Sequence, residues 1–159
     1  MNIRRATRAD AAAVAAIMLP VIRDTAITFT TTEKTEEGVR ADIVARGDSF
    51  QVAELDGEVV GFATLFPFRA GPGYAHTKEH SIVLAPKAHG QGLGRALMIR
   101  LEEVAHESGI HSLFAGVSGE NQDGVAFHRA IGFRIVATLP EVGFKFGRWM
   151  DLVLMQKIL

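Results

Sequence analysis

Apolar residues recur at three- and four-residue spacings in four segments of the chain, and this period predicts four amphipathic helices. Each segment is bounded by start or stop signals. These are the capping-box pattern Thr7-Arg-Ala-Asp10 before the first segment, Thr35 and Gly47 around the second, Gly109 after the third, and Gly132 after the fourth. Pro20 lies within the first segment, where we expect it to kink or stop the helix.

Between these segments lie shorter apolar runs whose length is typical of strands. They fall near Ile3 and at positions 50–55, 58–66, 82–84, 111–117, 133–138 and 149–158. Asp56-Gly57, between the second and third runs, is a dipeptide typical of a tight hairpin turn. The predicted order is β-α-α-β-β-β-α-β-α-β-β. Because no repeat, low-complexity stretch or linker interrupts it, we expect a single domain over residues 1–159.

Composition limits the classes of function. The 159 residues are 48% hydrophobic, enough for a full core, and the net charge of −1 disfavours general binding to nucleic acid or membrane surfaces. The absence of cysteine excludes disulfides, thiolate metal sites and a cysteine nucleophile. The histidines form no i,i+4 metal pair, the first residues are not typical of a signal peptide, and no apolar run is long enough to span a bilayer. We therefore expect a metal-independent cytoplasmic protein.

The most informative segment is a strand, a glycine-spaced turn and a helix in direct succession. The apolar run 82–84 ends before Pro86, and Gly90, Gly92 and Gly94 then lead into the third helix. Glycines let the backbone approach a diphosphate closely, and the first N–H groups of a helix point at it. The segment therefore predicts a site for a ligand that carries a pyrophosphate. A glycine-rich connection without a ligand is the alternative.

Three kinds of ligand carry a pyrophosphate, and the residues separate them. Arg95-Ala96 stand where a nucleoside-triphosphate loop needs Lys followed by Ser or Thr. A dinucleotide fingerprint would need a glycine in place of Leu97 and a carboxylate near positions 114–117, where Phe-Ala-Gly-Val stands. Coenzyme A is the candidate that remains.

Several motifs resemble one superfamily. His89-Gly-Gln-Gly92-Leu-Gly94 resembles the R/Q-x-x-G-x-G/A acyl-CoA signature of the GNAT N-acetyltransferases, with His89 in place of the usual Arg or Gln. Other segments resemble, more narrowly, the phosphinothricin and methionine sulfone/sulfoximine N-acetyltransferase family. They are Thr25-Ala-Ile-Thr-Phe29, Glu79-His80-Ser81, the stretch from Asn121 to Phe133, and Lys145-Phe-Gly-Arg148-Trp149. The resemblance covers nearly the whole chain.

The resemblance implies an α/β (α+β) GNAT fold, with a mixed central sheet of about six or seven strands flanked by about four helices, and acetyl-CoA as the cosubstrate. The sheet would splay at the strand 79–84, so that an N–H of Val83 or Leu84 is free to stabilise the oxyanion. The implied cofactor-binding residues are Ile82, Val83, Leu84, Gly90, Gln91, Gly92, Leu93, Gly94, Arg95 and Asn121. Asn121 has an alternative role as an N-cap or turn residue.

Glu79 and His128 are the catalytic residues that the resemblance implies. Glu79 would be the general base for the incoming amine, directly or through a water; the alternative is a solvated carboxylate paired with Lys78 or His80. His128 would lie near the sulfur of CoA. Because the pKa of histidine is about 6.5, it could act as acid or base there, or simply pack against the sheet. We expect His80 and His111 to be structural.

Phe29, Arg69 and the segment Pro72-Gly73-Tyr74 are the expected substrate-binding residues. Arg69 could pair with a carboxylate or phosphinate-like group, and the hydroxyl of Tyr74 could donate to the same group. The loop that carries them is richer in glycine than in the family, which predicts a wider or different pocket, so that phosphinothricin itself need not be a good substrate. The alternative is an exposed loop with a half-buried aromatic ring.

Lys145-Phe-Gly-Arg148-Trp149 is expected to join the last two strands. The resemblance implies a homodimer, with this hairpin near both the interface and the pocket. Trp149 is expected to pack in the core.

The favoured function is transfer of acetyl from acetyl-CoA to the α-amine of a small amino-acid-like compound of the phosphinothricin, methionine sulfoximine or methionine sulfone type, by direct attack in a ternary complex. One alternative is a GNAT enzyme that acts on a protein N-terminus, an aminoglycoside or a polyamine. Another is a CoA-binding regulatory domain without turnover. Glu79 and His128 favour an enzyme because a sensor needs only the glycine turn, whereas His89 is a departure that favours the regulatory domain.

Overall fold

The computed structural model describes all residues from Met1 to Leu159. It contains seven strands and four helices in the predicted order. They are β1 (Asn2–Arg5), α1 (Ala11–Asp24), α2 (Glu36–Arg46), β2 (Phe50–Leu55), β3 (Glu58–Pro67), β4 (Thr77–Leu84), α3 (Leu93–Glu107), β5 (Ser112–Ser118), α4 (Gln122–Ala130), β6 (Arg134–Lys145) and β7 (Arg148–Ile158). Short 3-10 turns connect several of them.

Local signals account for most of the element ends. The backbone N–H of Thr7 donates to the Asp10 carboxylate at 2.7 Å, as in a capping box. The Thr35 hydroxyl accepts from the Gly38 N–H at 3.0 Å and caps α2. Asp56 and Gly57 have φ of 52° and 79°, the left-handed values of a type I′ turn, so β2 and β3 form the predicted hairpin.

The structure contradicts one of the two alternatives predicted for Pro20, the stop, and also contradicts the predicted end of the sixth strand. Pro20 does not stop α1, which continues to Asp24. Pro20 and Ala16 are both exposed, so that water can satisfy the Ala16 carbonyl that a proline cannot bond. The strand predicted to end near Thr138 continues to Lys145 as β6, because a bulge between Leu139 and Gly143 lets it resume its pairing with β7.

The seven strands form one mixed sheet in the order β1-β2-β3-β4-β5-β7-β6. The pairing of β4 with β5 is parallel, and all other pairings are antiparallel. Helices cover both faces. Helices α1 and α2 pack on one face over Phe50, Val52 and Phe62, while α3 and α4 pack on the other face over Leu65, Leu113 and Ala115.

The sheet opens between its two central strands. β4 pairs with β5 only from Thr77 to His80, opposite Ser112 to Ala115. Beyond that point β4 continues to Leu84 and stays paired with β3, whereas β5 continues to Ser118 and stays paired with β7. The strands therefore separate after His80, and the backbone polar groups that would join them are left free at the gap. This confirms the predicted splay.

No helix of the structure combines the length and apolar content needed to cross a bilayer. No group of three or more His, Asp or Glu side chains is arranged to hold a metal ion.

Candidate active site

The gap between β4 and β5 holds a cavity of about 370 Å³. Six parts of the chain line it: the second half of α1, the segment between α1 and α2, the second half of β4, the end of β5, α4 with Asn121 before it, and Leu152 on β7. Of the predicted residues, Phe29, Glu79, Ile82, Val83, Asn121 and His128 all line this cavity. The fold therefore brings together residues that are up to 99 positions apart in sequence (128 − 29 = 99).

Glu79 lies half-buried on the face of the sheet that α1 and α2 cover. Its side chain forms no hydrogen bond or ion pair, so neither Lys78 nor His80 neutralises it. Burial alone raises the pKa of the Glu79 carboxyl above its usual range. A carboxylate that is desolvated and has no partner has a greater affinity for a proton, as a general base requires.

Gly116 on β5 gives Glu79 its space. A Cβ at Gly116 would lie 3.3 Å from Oε2 of Glu79 and 3.6 Å from the Leu152 side chain. The absence of a side chain on β5 at this point leaves room for the carboxyl beside the gap. Gly116 could not be identified from the sequence, because a glycine inside a strand has no signal that separates this role from a bulge.

His128 is buried on the opposite face of the sheet. Its Nδ1 lies 2.7 Å from the Gly124 carbonyl oxygen, and its Nε2 lies 2.9 Å from Nε2 of His80. Burial lowers the pKa of both imidazoles, that of His80 to about 3. The sequence predicts a structural role for His80 and does not indicate its contact with His128. The alternation of side chains along β4, which puts His80 on the face that α4 covers, is the signal that could have shown it.

The two catalytic candidates thus lie on different faces of the sheet and meet only at the gap. Consecutive strand residues point to opposite faces, so Glu79 and His80 diverge. Glu79 faces the segment that carries Phe29, whereas His80 and His128 face the helix α3 side of the sheet. A group held in the gap is accessible from both faces, which suits a reaction in which two substrates approach each other from opposite sides.

The glycine turn forms an open backbone concavity at the start of α3. Gly90 and Gly92 have φ of 75° and 78°, and a Cβ at either would meet nothing within 4 Å. They are thus required for backbone conformation, and the space around them is open. The first intrahelical bond runs from Ala96 N to Gly92 O, which leaves the N–H groups of residues 93–95 free for an anion.

The side chains around this turn point elsewhere. Gly94 is needed for packing, since a Cβ there would lie 3.2 Å from the Phe127 ring. Gln91 donates to the Lys87 carbonyl, and His89 Nε2 lies 3.2 Å from the Leu84 carbonyl at the end of β4. Arg95 is exposed and contacts the Ala130 carbonyl at 3.3 Å. Backbone amides therefore carry the anion-binding character of this turn.

Asn121 has the capping role that was one of its two alternatives. Its Oδ1 accepts from the Gly124 N–H at 3.0 Å and caps α4. It also lines the cavity, so that its amide is available on the same side as His128.

Phe29 is held at the cavity by the hairpin of β6 and β7. Its ring packs against Gly143, where a Cβ would lie 2.5 Å from a ring carbon. Lys145 is buried, and its Nζ donates to the carbonyl oxygens of Thr25 and Thr28 at 2.7 and 2.8 Å. The sequence placed this hairpin near the pocket; the contacts that join it to the 25–29 segment could not be predicted, since they depend on tertiary packing.

The other expected substrate residues lie outside the cavity. Arg69, Pro72, Gly73 and Tyr74 form an exposed connection between β3 and β4, and none of them lines the cavity. The Arg69 guanidinium lies 5.7 Å from the centre of the Tyr74 ring. Within one chain, the fold therefore does not bring these residues to Glu79.

Trp149 was predicted to pack in the core, and this was wrong. It is 63% exposed and packs only against Phe144, with 4.8 Å between ring centroids. Trp149 and Phe144 are cross-strand neighbours near the end of the hairpin, beyond the helices that cover the sheet.

Comparison with known proteins identifies the class. A sequence model of the Acetyltransferase (GNAT) family matches residues 19–133, and the chain belongs to this family. This confirms the predicted fold and the predicted class of enzyme, an acetyltransferase.

The chain is 38% identical to an L-amino acid N-acyltransferase of Escherichia coli over 98% of this chain and 92% of the relative. It is 36% identical to an L-methionine sulfoximine/L-methionine sulfone acetyltransferase of Salmonella typhimurium over 98% of this chain and 93% of the relative. Among solved structures, a Salmonella typhimurium acetyltransferase with its cofactor acetyl-CoA matches with a TM-score of 0.94, 35% identity, and coverage of 100% and 94%.

Proposed function

We propose that this protein transfers the acetyl group of acetyl-CoA to the α-amine of a small amino-acid-like compound. The observation that carries the proposal is the gap between β4 and β5, with free backbone groups on one side and a half-buried, unpaired Glu79 beside it. The names of the Escherichia coli and Salmonella relatives support this acceptor class. We expect acetyl-CoA to be used in the cytoplasm, where it is available, and we place the enzyme there.

The donor would lie across the glycine turn and along β4. The free amides at the start of α3, with Gly90 and Gly92, would hold the pyrophosphate, and Gln91, Leu93, Gly94 and Arg95 would flank it. The pantetheine would follow Ile82 to Leu84, near Asn121. The N–H of Leu84 would stabilise the oxyanion of the tetrahedral intermediate, a contact that is typically worth about 3 kcal/mol. The Ala85 N–H bonds to the Val60 carbonyl, and because bonded pairs alternate along an antiparallel ladder, the Leu84 N–H points into the gap. The N–H of Val83, the other residue predicted for this role, points toward β3.

The acceptor would approach from the face that carries Glu79. Its ammonium group gives a proton to Glu79, directly or through a water, and the neutral nitrogen attacks the thioester carbon. The C–N bond forms, the carbonyl electrons move to the oxyanion, and their return breaks the C–S bond. The amide nitrogen releases its remaining extra proton to solvent, and CoA departs as the thiolate.

Phe29 would border the acceptor, because it lines the same cavity as Glu79. Arg69, Pro72, Gly73 and Tyr74 lie outside the cavity, on the exposed connection between β3 and β4, so they would select an anionic acceptor on its approach and not at Glu79. Replacement of Arg69 by Ala is expected to raise KM for an anionic amino acid more than for a neutral amine. Equal changes in KM would show that Arg69 does not contribute to the selection of the acceptor.

A protein N-terminus is the second candidate acceptor. It is favoured by the 40% identity and TM-score of 0.94, over the full length of both chains, to a Brucella melitensis structure described as a ribosomal-protein-alanine N-acetyltransferase. The volume of the cavity, about 370 Å³ with Phe29 at its border, suits a small acceptor better than a folded protein.

Release of free CoA thiol from acetyl-CoA, with a panel of amines, tests the proposal. The panel should hold methionine sulfoximine, methionine sulfone, phosphinothricin, common amino acids, an alanine-starting peptide, a polyamine and an aminoglycoside. We expect turnover with the sulfoximine or sulfone. Turnover with the peptide alone would favour the second candidate, and binding of CoA without any turnover would favour a regulatory domain.

The protein would work as a homodimer. The far end of the β6–β7 hairpin exposes an aromatic surface that no helix covers, formed by Val142, Phe144, Phe146 and Trp149, each at least 51% exposed. A contiguous apolar surface of this kind is typical of a protein–protein contact. A second copy of the chain is the partner that the family resemblance implies.

A further inference from the structure

The buried His80–His128 pair is not explained by the roles assigned so far. The two rings lie with their centroids 5.0 Å apart, and both also pack edge-on against Phe133. His80 is 5% exposed and His128 is 7% exposed. No carboxylate and no cationic side chain bonds to either ring, so that the pair has only itself and one backbone carbonyl for polar partners.

The partners fix where each proton resides. The Gly124 carbonyl only accepts, so His128 Nδ1, at 2.7 Å, must carry a hydrogen. A neutral His128 then has a lone pair on Nε2. His80 Nε2, at 2.9 Å, must donate to that lone pair, which leaves Nδ1 of His80 without a hydrogen. Nδ1 of His80 is buried and has no partner.

The opposite arrangement would place a charge in the interior. If His128 donated from both nitrogens, it would be an imidazolium, buried among Phe127, Phe133 and His80 without a counter-ion. Burial lowers the pKa of both rings, which agrees with a neutral pair. The charged groups of the surrounding elements do not compensate: Glu79 faces the other side of the sheet, and Asp123 and Arg129 on α4 are exposed. On α3 and β7, Arg95 contacts the Ala130 carbonyl, and Lys157 pairs with Glu102.

We propose that His80 is a positioning residue, which donates its Nε2 proton to His128 and thereby holds His128 as the neutral Nδ1–H tautomer. This deepens the proposed function and rests on it for its role in catalysis. In this state His128 has no proton to give to the sulfur of CoA, because its only N–H is engaged with Gly124. Both rings are neutral and line the cavity, and His128 gives no proton to the departing thiolate.

Two physical consequences make this arrangement useful. A neutral pair places no positive charge near an acceptor that must lose a proton before it attacks, so it does not oppose the binding of an ammonium group. A thiolate also needs little help to leave, since the pKa of a thiol is about 8.5. The proton that CoA finally takes up can then come from solvent.

The tautomer can be read directly by long-range ¹H–¹⁵N NMR of the full-length protein, without any need for turnover. We expect His128 to show a protonated Nδ1 and an unprotonated Nε2, and to keep those signals from about pH 5.5 to pH 8, on either side of the ordinary histidine pKa. A proton on Nε2 of His128, or titration of His128 within that range, would overturn the proposal. Because this readout is independent of activity, it is distinct from a failure of the proposed function.

Two variants separate positioning from packing. His80→Gln keeps an N–H donor near the position of Nε2, whereas His80→Leu removes the donor and leaves His128 free to titrate. Loss of a hydrogen bond to the neutral imidazole should raise the pKa of His128 relative to the wild type, while burial still keeps it below the ordinary value. We therefore expect kcat/KM of His80→Leu to fall more steeply than that of the wild type as the pH is lowered from 8 to 5.

His80→Gln should keep the wild-type pH profile, and His111→Leu, at an exposed histidine without a side-chain hydrogen bond, should have no effect. Identical pH profiles of the Leu and Gln variants would contradict a positioning role. If the Leu variant does not fold, the wild-type NMR spectrum and the Gln profile still decide the question.

Discussion

Glu79 is a carboxyl group that the protein buries without a partner. A group of this kind costs stability, because the folded state holds its proton more tightly than the unfolded state does. The raised pKa of Glu79 means that its stabilising contribution exists below the unfolded pKa and is lost as the pH rises through the folded pKa. At neutral pH the ionised Glu79 therefore lowers the stability of the fold at the position proposed for the general base.

Replacement of Glu79 by Gln should lower kcat/KM by roughly 10² to 10⁴, the usual contribution of a general base. Acetyl-CoA affinity should remain, since Glu79 faces the side of the sheet opposite to α3, which the glycine turn begins. Thiol-release kinetics and calorimetric titration with acetyl-CoA measure the two quantities. Glu107→Gln, at the exposed end of α3, is the control. Unchanged kinetics of Glu79→Gln would show that Glu79 is not the general base.

The same variant should be more stable than the wild type at pH 7 and should lose that advantage near pH 4. The physical reason is that the glutamine amide cannot ionise, whereas the wild-type carboxyl is protonated and equally neutral only at low pH. Thermal unfolding at both pH values is the measurement. A lower melting temperature at pH 7 would mean that the carboxylate has a partner, which the structure does not show.

Gly92 owes its importance to backbone conformation and to the open space that it borders. A valine there would have to adopt φ near 78°, at a cost of about 1–2 kcal/mol, and would project into the space proposed for the pyrophosphate. Gly92→Val should abolish measurable acetyl-CoA binding. Gly109→Val is a matched control, because Gly109 has φ of 79° and open space at the other end of α3. It should lose similar stability and keep binding; loss of binding in both variants would leave the pyrophosphate without an assigned site.

The β6–β7 hairpin acts on the cavity through the segment between α1 and α2. Lys145 reaches two carbonyl oxygens of that segment, and Gly143 leaves room for the Phe29 ring. The charge of Lys145 has no carboxylate partner, so its polar contacts are the carbonyl dipoles themselves. This element therefore holds in place a segment that contributes little regular structure of its own.

Lys145→Met should raise KM for the acceptor about tenfold while leaving acetyl-CoA affinity unchanged. Loss of its two charged hydrogen bonds should destabilise the fold by about 3–6 kcal/mol. Lys157→Met is the control, since Lys157 also donates to a backbone carbonyl, that of Ile131, but lies away from the cavity. Equal effects of the two variants on KM would show that loss of stability, and not the position of Phe29, is the cause.

The exposed aromatic surface belongs to the whole molecule, because no element of the same chain covers it. Replacement of both Phe144 and Trp149 by Ser should convert a dimer into a monomer, as measured by light scattering after gel filtration. Ile99→Ser is the control, at a 53% exposed apolar residue on α3. A wild-type protein that is already monomeric at micromolar concentration would contradict the proposed homodimer.

Much of this architecture could be predicted because its signals are local. The helix start at Thr35, the turn at Asp56-Gly57 and the left-handed glycines before α3 each depend on a few neighbouring residues. The positions of Trp149 and of the end of β6 could not be predicted, because they depend on whether a helix covers that part of the sheet and on a bulge that restores pairing.

The sequence by itself determined the elements, their order and the chemistry available: a glycine turn for an anion, a carboxyl group and an imidazole. It did so because backbone conformation and periodicity are properties of short segments. Only the tertiary structure decided that Glu79 has no partner, that His80 bonds to His128, and that Arg69 and Tyr74 lie outside the cavity. Those facts depend on which strands separate and on which face of the sheet each side chain lies, and both are set by contacts between residues far apart in the chain.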